Sequence, residues 1–320
     1  MALALACSAI VFAQEGTKEE PKLTVAPTAT VFTKYTHGLG NESEVGGFDL
    51  DRAYLGAKFK YGSEFSGQVL LDFGSTKLDG SALDFVAYVK NASMTWKRSN
   101  FETSFGLIKT TNFAYQESFW GYRYVAKTYM DEMKYASSAD FGISAAYKFT
   151  DWMKVDLQIV NGEGYKHLEL DNDARFGLGV TVEPITNLFV RGYYDICTST
   201  KEGDKTINSA SLFAGYKSDI FTIGAEYNRL WNRSFAQDNN YTGISFYSTV
   251  FLSKKFEVFA RYDQTITELD SAPDAGSVII AGLEYTPCKV LKLSPNISYN
   301  NPTGEDNNEI FINLSAQVKF

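Results

Sequence analysis

The sequence predicts an all-β fold, a transmembrane antiparallel β-barrel of sixteen strands. Three observations carry that expectation. Segments of about ten residues follow one another with apolar side chains on one parity and small, polar or charged ones on the other, the alternation that a strand produces. The connections between them alternate strictly between tight turns and long loops. Aromatic residues flank the tight turns, as Tyr61 and Phe65, Trp96 and Phe101, Phe149 and Trp152, and Tyr216 and Phe221 do. A soluble β-sandwich has no reason to keep its tight turns at one end behind an aromatic rim, whereas a barrel in a bilayer does. Ring closure also gives a partner to every backbone N–H and C=O that hydrocarbon would otherwise leave unpaired.

Residues 1–13, MALALACSAIVFA, form a short apolar run that ends in small residues, with the polar QEGTKEEPK directly after it. That is the pattern of a cleaved secretory signal peptide. Residues 14–21 then form a short periplasmic N-terminal segment, too small to plug a pore, and residues 22–320 form the barrel. The first strand is Leu23–Thr36. FDLDRAYLGAKFKY and EFSGQVLLDF follow, joined at Gly62-Ser63. Phe85–Lys97 and FETSFGLI are the fourth and fifth, joined at Arg98–Asn100. FGISAAYKF and WMKVDLQIV meet at Thr150-Asp151, and in the second of them Met153, Val155, Leu157 and Ile159 oppose Lys154, Asp156 and Gln158. ARFGLGVTVE and Leu188–Ile196 join at Pro184–Asn187, and Ser209–Lys217 and FTIGAEYN at Ser218-Asp219. Thr242–Leu252 and FEVFARYD join at Ser253–Lys255, and SVIIAGLEY and Val290–Tyr299 at Pro287–Lys289. The closing strand, NEIFINLSAQVKF, sets Ile310, Ile312, Leu314, Ala316, Val318 and Phe320 on one face. Phe320 falls in the aromatic rim and has the terminal position expected of the signal read by the barrel-assembly machinery.

Sixteen strands enclose an aqueous channel, whereas eight are filled by their own side chains. The expected function is therefore passive diffusion of small hydrophilic solutes or ions, anions such as phosphate among them. The alternative is a structural or adhesive surface barrel with a closed lumen, to which the inward Phe213, Phe251 and Phe259 would contribute. The connection at 109–139 has about thirty residues, a length that points to function. Folded inward, it would be a pore constriction loop presenting Lys109, Glu117, Arg123, Lys127, Asp131 and Lys134, with a short helix between Tyr122 and Tyr135. Folded outward, it would cap the barrel or touch a neighbouring subunit. Parity aims Arg52, Lys58, Lys60, Asp72, Lys154, Asp156, Arg175, Arg191, Glu226 and Arg261 at the lumen wall. With Lys148, Lys292, Lys319, Glu183, Asp195, Glu257, Asp263 and Glu284 on the same parity, both signs of charge are present there in similar numbers.

The net charge of −8 argues against nucleic acid as a partner, since phosphate binding needs a clustered basic surface. Membrane lipid is the expected surrounding. Cys197 and Cys288 fall at opposite ends of their strands and are expected to be free thiols. The two histidines, His37 and His167, fall in loops, and no nucleophile elbow, His-Glu-x-x-His or Cys-x-x-Cys is present. No catalytic residue, cofactor or metal site is expected. Glu169, Asp171 and Asp173 offer oxygen ligands, but acidic surface loops are usually only solvated.

GFDLDRAYLGAKFKYGSEFSGQVLLDFG resembles the second and third strands of the phosphate-selective porin O/P family: acidic-Arg-Ala-x-Leu-Gly-x-Lys, a tight turn, then a strand ending in Asp-Phe. FGLIKTTNF resembles the Gly-x-x-Lys stretch that opens that family's constriction loop, with Gly106 and Lys109 in the matching places. The likeness covers Phe48–Lys127 and the terminal Phe320. It implies a porin of sixteen strands, often a homotrimer, in the outer membrane of a Gram-negative bacterium. One departure stands out: Thr110-Thr111-Asn112 occupies the place where that family carries a Pro shortly after the Lys.

Overall fold

The computed structural model describes residues 21–39, 46–75, 85–167, 172–268, 275–303 and 308–320. The signal at 1–13 and all but Pro21 of the segment at 14–21 lie outside the described residues. Sixteen strands follow in chain order. They are β1 Leu23–Leu39, β2 Gly46–Tyr61, β3 Phe65–Ser75, β4 Phe85–Arg98, β5 Phe101–Lys109, β6 Ala139–Thr150, β7 Met153–Val160 and β8 Arg175–Ile185, then β9 Leu188–Cys197, β10 Ile207–Lys217, β11 Phe221–Trp231, β12 Tyr241–Phe251, β13 Phe256–Thr267, β14 Gly276–Cys288, β15 Leu291–Pro302 and β16 Glu309–Lys319. Each strand pairs antiparallel with its neighbours in sequence, and β1 pairs with β16, so the sheet closes on itself. No edge is left to aggregate.

Closure is made by the last residues of the chain. Val31 faces Val318 and Lys34 faces Ser315 across the β1–β16 seam, and the Phe320 N–H donates to the Ala29 carbonyl at 2.9 Å. The wall is apolar outside and polar inside. Leu55, Phe105, Leu157, Phe176, Leu212, Phe246 and Leu314 are exposed on the outer face, while Asp72, Asp156, Arg191, Glu226 and Ser315 are buried within. Strand lengths range from 8 residues in β7 to 17 in β1, less uniform than the ten-residue repeat suggests.

The register shifts in five of the ladders, and the two shifts within β1–β4 are β-bulges that bear on the lumen. Phe32 pairs with Arg52 but Thr33 pairs with Leu50, so Asp51 in β2 has no opposite residue on β1. Leu70 pairs with Asn91 but Leu71 pairs with Val89, which leaves Lys90 in β4 without one on β3. A bulge adds one residue on one strand and re-aims the side chains around it.

Two expectations need correction. His37 lies within β1, opposite Gly46 and Ile312, because pairing with β2 and β16 carries that strand past Thr36. An unanticipated helix, α1, spans Ala114–Trp120, and the helix expected between Tyr122 and Tyr135 is only α2, Tyr129–Glu132. Gly121 ends α1 in the left-handed conformation, at φ 73°, and returns its N–H to the Glu117 carbonyl at 3.0 Å. Glycine suits that cap because it carries no Cβ. Cys197, buried at the end of β9, and Cys288, exposed at the end of β14, are both free thiols.

Candidate functional site

The connection from β5 to β6, residues 110–138, runs inside the barrel. At its start, the Thr111 N–H donates to Gln158 Oε1 at 2.7 Å and Asn112 Nδ2 to Asp195 Oδ2 at 2.7 Å. Arg191 joins wall to loop: it makes a two-pronged pair with Asp156, at 2.5 and 2.9 Å, and donates to the Thr111 carbonyl at 3.0 Å. Further on, Gln116 bonds Ser211 at 3.1 Å, Tyr122 Oη bonds Glu257 at 2.9 Å and Tyr124 Oη bonds Glu284 at 2.8 Å. Tyr129 Oη lies 3.0 Å from Thr265 Oγ1, Arg175 donates to the Tyr135 carbonyl at 3.0 Å, and Arg261 donates to the Lys127 carbonyl. Successive partners on β7, β8, β9, β10, β13 and β14 thus hold the loop against one side of the wall.

Burial keeps these phenols protonated donors. It raises the pKa of Tyr122 and Tyr124, and pushes Tyr129 up to about 12. A neutral phenol bonded to a carboxylate is a charge-assisted hydrogen bond, stronger than a neutral one.

Aromatic packing completes the docking. Phe119 meets Phe213 edge-on at 5.0 Å, Tyr122 stacks on Phe259 at 4.1 Å, and Trp120 meets Tyr247 at 5.9 Å. The inward Phe213 and Phe259 are therefore a platform for the loop. Small wall residues make room for it: a Cβ on Gly243 would lie 2.0 Å from the Tyr129 ring, and one on Gly215 2.5 Å from Phe119. On the far side, Tyr124 reaches Phe32 of β1 at 6.3 Å, and Arg123 lies 3.9 Å from Asp51 and 3.6 Å from Asp131.

Polar cavities remain beside the loop. One of about 460 Å³ lies on the long-loop side and is bounded by residues 162–167 of the connection after β7. One of about 340 Å³ reaches Lys58, Gln68 and Lys319 towards the tight turns. Lys90, Arg123 and Asp131 line both, so the two cavities lie against the same three side chains. Seven Lys and Arg side chains line the first against two carboxylates, and five line the second against two. Both cavities are basic although the chain carries a net charge of −8. A third cavity, of about 550 Å³, lies between the loop and the β13–β16–β1 wall and is lined by Asn296, Ser298, Asn300 and Asn313.

The sequence-predicted loop residues occupy this region. Lys109 pairs with Glu117 at 2.6 Å, Arg123 with Asp131, and Lys127 with Glu132 at 3.9 Å. Lys134, exposed and with φ 55°, lines the larger basic cavity. Of the wall residues, Arg52 bonds Asp72 at 3.0 Å, Arg175 bonds Asp195 at 2.9 Å and Arg261 bonds Asp263 at 2.5 Å. Glu226 accepts from Asn228 at 2.9 Å. Lys58 lines the smaller basic cavity, Lys60 is exposed near the turn after β2, and Lys154 lines a small pocket with Asp156 and Arg191. Phe320 is 73% exposed at the seam. Of the proposed acidic ligands Glu169 and Asp171 lie outside the described residues, and Asp173 accepts from the Thr200 N–H at 2.5 Å. Among the described residues no metal-binding group of His, Cys, Asp and Glu occurs.

Several lumenal residues were not singled out from the sequence: Lys90, Tyr54 and Asp51 on strands, and Tyr165 and Lys166 in the connection after β7, where alternation does not apply. For Lys90 the signal was present. In β4 the outward Val89 is followed by outward Ala92 and Met94, an odd spacing that marks the bulge at Lys90.

No family model matches the chain, and no curated protein matches it in sequence. Solved structures do. The anion-selective porin from Comamonas acidovorans aligns with a TM-score of 0.71 at 13% identity, over 93% of this chain and 100% of that one. The outer membrane channel DcaP of Acinetobacter baumannii gives 0.65 at 15%, over 97% and 100%. OmpT of Vibrio cholerae, an outer membrane protein solved in a trimer form, gives 0.62 at 15%, over 93% and 99%. The fold is that of outer-membrane porins. A closed barrel with an apolar outside and a polar inside fits a membrane setting, since lipid-exposed backbone must be fully paired.

Proposed function

We propose that this protein is a diffusion channel in the outer membrane of a Gram-negative bacterium, passing small hydrophilic solutes and favouring anions. The observation that carries the reading is the pair of basic cavities that lie against Lys90, Arg123 and Asp131 beside an inward-folded loop. In this reading residues 110–138 are the constriction, and the wall charges keep the lumen wetted. A ring dominated by one sign of charge selects ions of the other. The resemblance of Phe48–Lys127 to the phosphate-selective porin O/P family supports small oxyanions, phosphate included, as favoured solutes. The trimer form of one similar structure supports a homotrimer. Phe320, at the closing seam, acts in this reading as the terminal signal for the assembly machinery.

Reversal potentials across a potassium chloride gradient test the selectivity. The wild-type barrel is expected to reverse on the anion side, and an Arg123→Ala, Lys127→Ala variant is expected to move towards zero. A reversal on the cation side in the wild type would overturn the anion reading. A closed surface barrel would give no current at all.

A further inference from the structure

Given the channel reading, we infer that Lys90 sets the charge preference of the passage, and that Tyr165 is the positioning residue that holds it there. Several cations along the passage stand against carboxylates. Lys109, Arg123 and Lys127 each have a carboxylate oxygen within 4 Å: Glu117 at 2.6 Å, Asp131 at 3.6 Å and Glu132 at 3.9 Å. Each of those pairs is close to neutral from a distance. Lys90 has no such ion pair among the described residues. Its Nζ instead lies over two ring faces, 5.1 Å from the centroid of Tyr54 and 5.0 Å from that of Tyr165.

A ring face attracts an ammonium group through its quadrupole but carries no net charge. The lysine is therefore held in place while its field remains uncancelled. The nearby acid, Asp72, pairs with Arg52 through one oxygen, and its other oxygen, Oδ1, has no hydrogen-bond partner among the described residues. Asp72 is fully buried, takes Arg52 Nη1 at 3.0 Å, and accepts the Tyr165 hydroxyl at 2.5 Å on the same oxygen as Arg52. That hydrogen bond, with the Tyr165 N–H donating to the Ala139 carbonyl at 3.1 Å, ties the connection after β7 to the wall and sets the ring over Lys90. Lys166 stands next to it over Tyr88, at 5.0 Å, and adds a second positive charge to the same face. The bulge in β4 is what turns Lys90 to this point, and Lys90 lines both basic cavities. The ligand class is any small anion that crosses there.

The test is the anion-to-cation permeability ratio of the purified channel in planar bilayers. One unit charge about 6 Å from a permeating ion in water changes the energies of anion and cation in opposite senses, by about RT each. Lys90→Met is thus expected to lower the ratio roughly three- to tenfold at low salt, and Lys90→Arg is expected to retain it. Tyr165→Phe removes the bond to Asp72 and is expected to lower the ratio by less. Combined with Lys90→Met it is expected to add nothing, a non-additivity that a merely structural role for Tyr165 would not produce.

Should Lys90→Met fold poorly, Lys90→Cys in a Cys288→Ser background gives the same test after folding. A cationic methanethiosulfonate label is expected to restore the anion preference, and an anionic one to reverse it. A conducting Lys90→Met channel with the wild-type ratio, or labels of opposite charge with equal effect, overturns the inference and leaves the channel reading standing. A wild-type barrel that does not conduct overturns the channel reading itself.

Discussion

Replacing Gly243 with alanine is expected to push α2 off the wall of the barrel. The added Cβ would sit 2.0 Å from Tyr129 Cε1, 2.1 Å from Cζ and 2.2 Å from Oη. Ordinary carbon contacts lie at about 3.5–4.0 Å, so the ring has to move by more than about 1 Å. It has little room to do so, because Tyr129 is buried, bonded to Thr265 at 3.0 Å and packed edge-on against Tyr135 at 5.9 Å. Overpacking of this kind costs about 1–3 kcal/mol. A cost of that size shifts the balance between docked and displaced loop by about 5- to 150-fold. The displaced segment, which carries Asp131, moves away from β12 into the lumen. Single-channel recording is expected to show a lower mean conductance with frequent brief closures, and the thermal midpoint of the folded barrel is expected to fall. Gly192→Ala is the matched control, since nothing lies within 4 Å of the added Cβ there. Equal conductance and equal midpoints for Gly243→Ala and Gly192→Ala would refute the reasoning.

Further outcomes follow from the same contacts. Arg191→Met leaves Asp156 buried without its partner and is expected to cost about 3–5 kcal/mol in unfolding measurements, much of it recovered by adding Asp156→Leu. Phe320→Ala is expected to leave the refolded barrel's melting almost unchanged, because the side chain is 73% exposed and the seam uses its backbone, while lowering the yield of inserted protein in cells. In the folded barrel a maleimide is expected to label Cys288 and to reach Cys197 only after denaturation, as read by mass.

The fold was legible because membrane barrels write a two-residue period into every strand. WMKVDLQIV, with Leu157 and Ile159 exposed outside and Asp156 and Gln158 buried inside, needs no knowledge of its neighbours to be read. The candidate site was legible only in part. The loop at 109–139 stood out by length and charge, but its partners, Gln158, Asp195, Ser211, Glu257 and Glu284, lie tens of residues away. The short helix expected between Tyr122 and Tyr135 is confined to Tyr129–Glu132, and α1, which ends at the left-handed Gly121, was not anticipated. Lys90 was missed for a different reason. Alternation assumes an unbroken register, and a single extra residue in β4 reverses which side chains face inward.

Single-channel recording of the purified, refolded wild-type barrel in a planar bilayer tests the central claim most directly. If the basic cavities on either side of Lys90, Arg123 and Asp131 join into a water-filled path, discrete current steps are expected, linear in voltage at small potentials and carried mainly by anions. A correctly folded barrel that inserts into the bilayer and passes no current would contradict it.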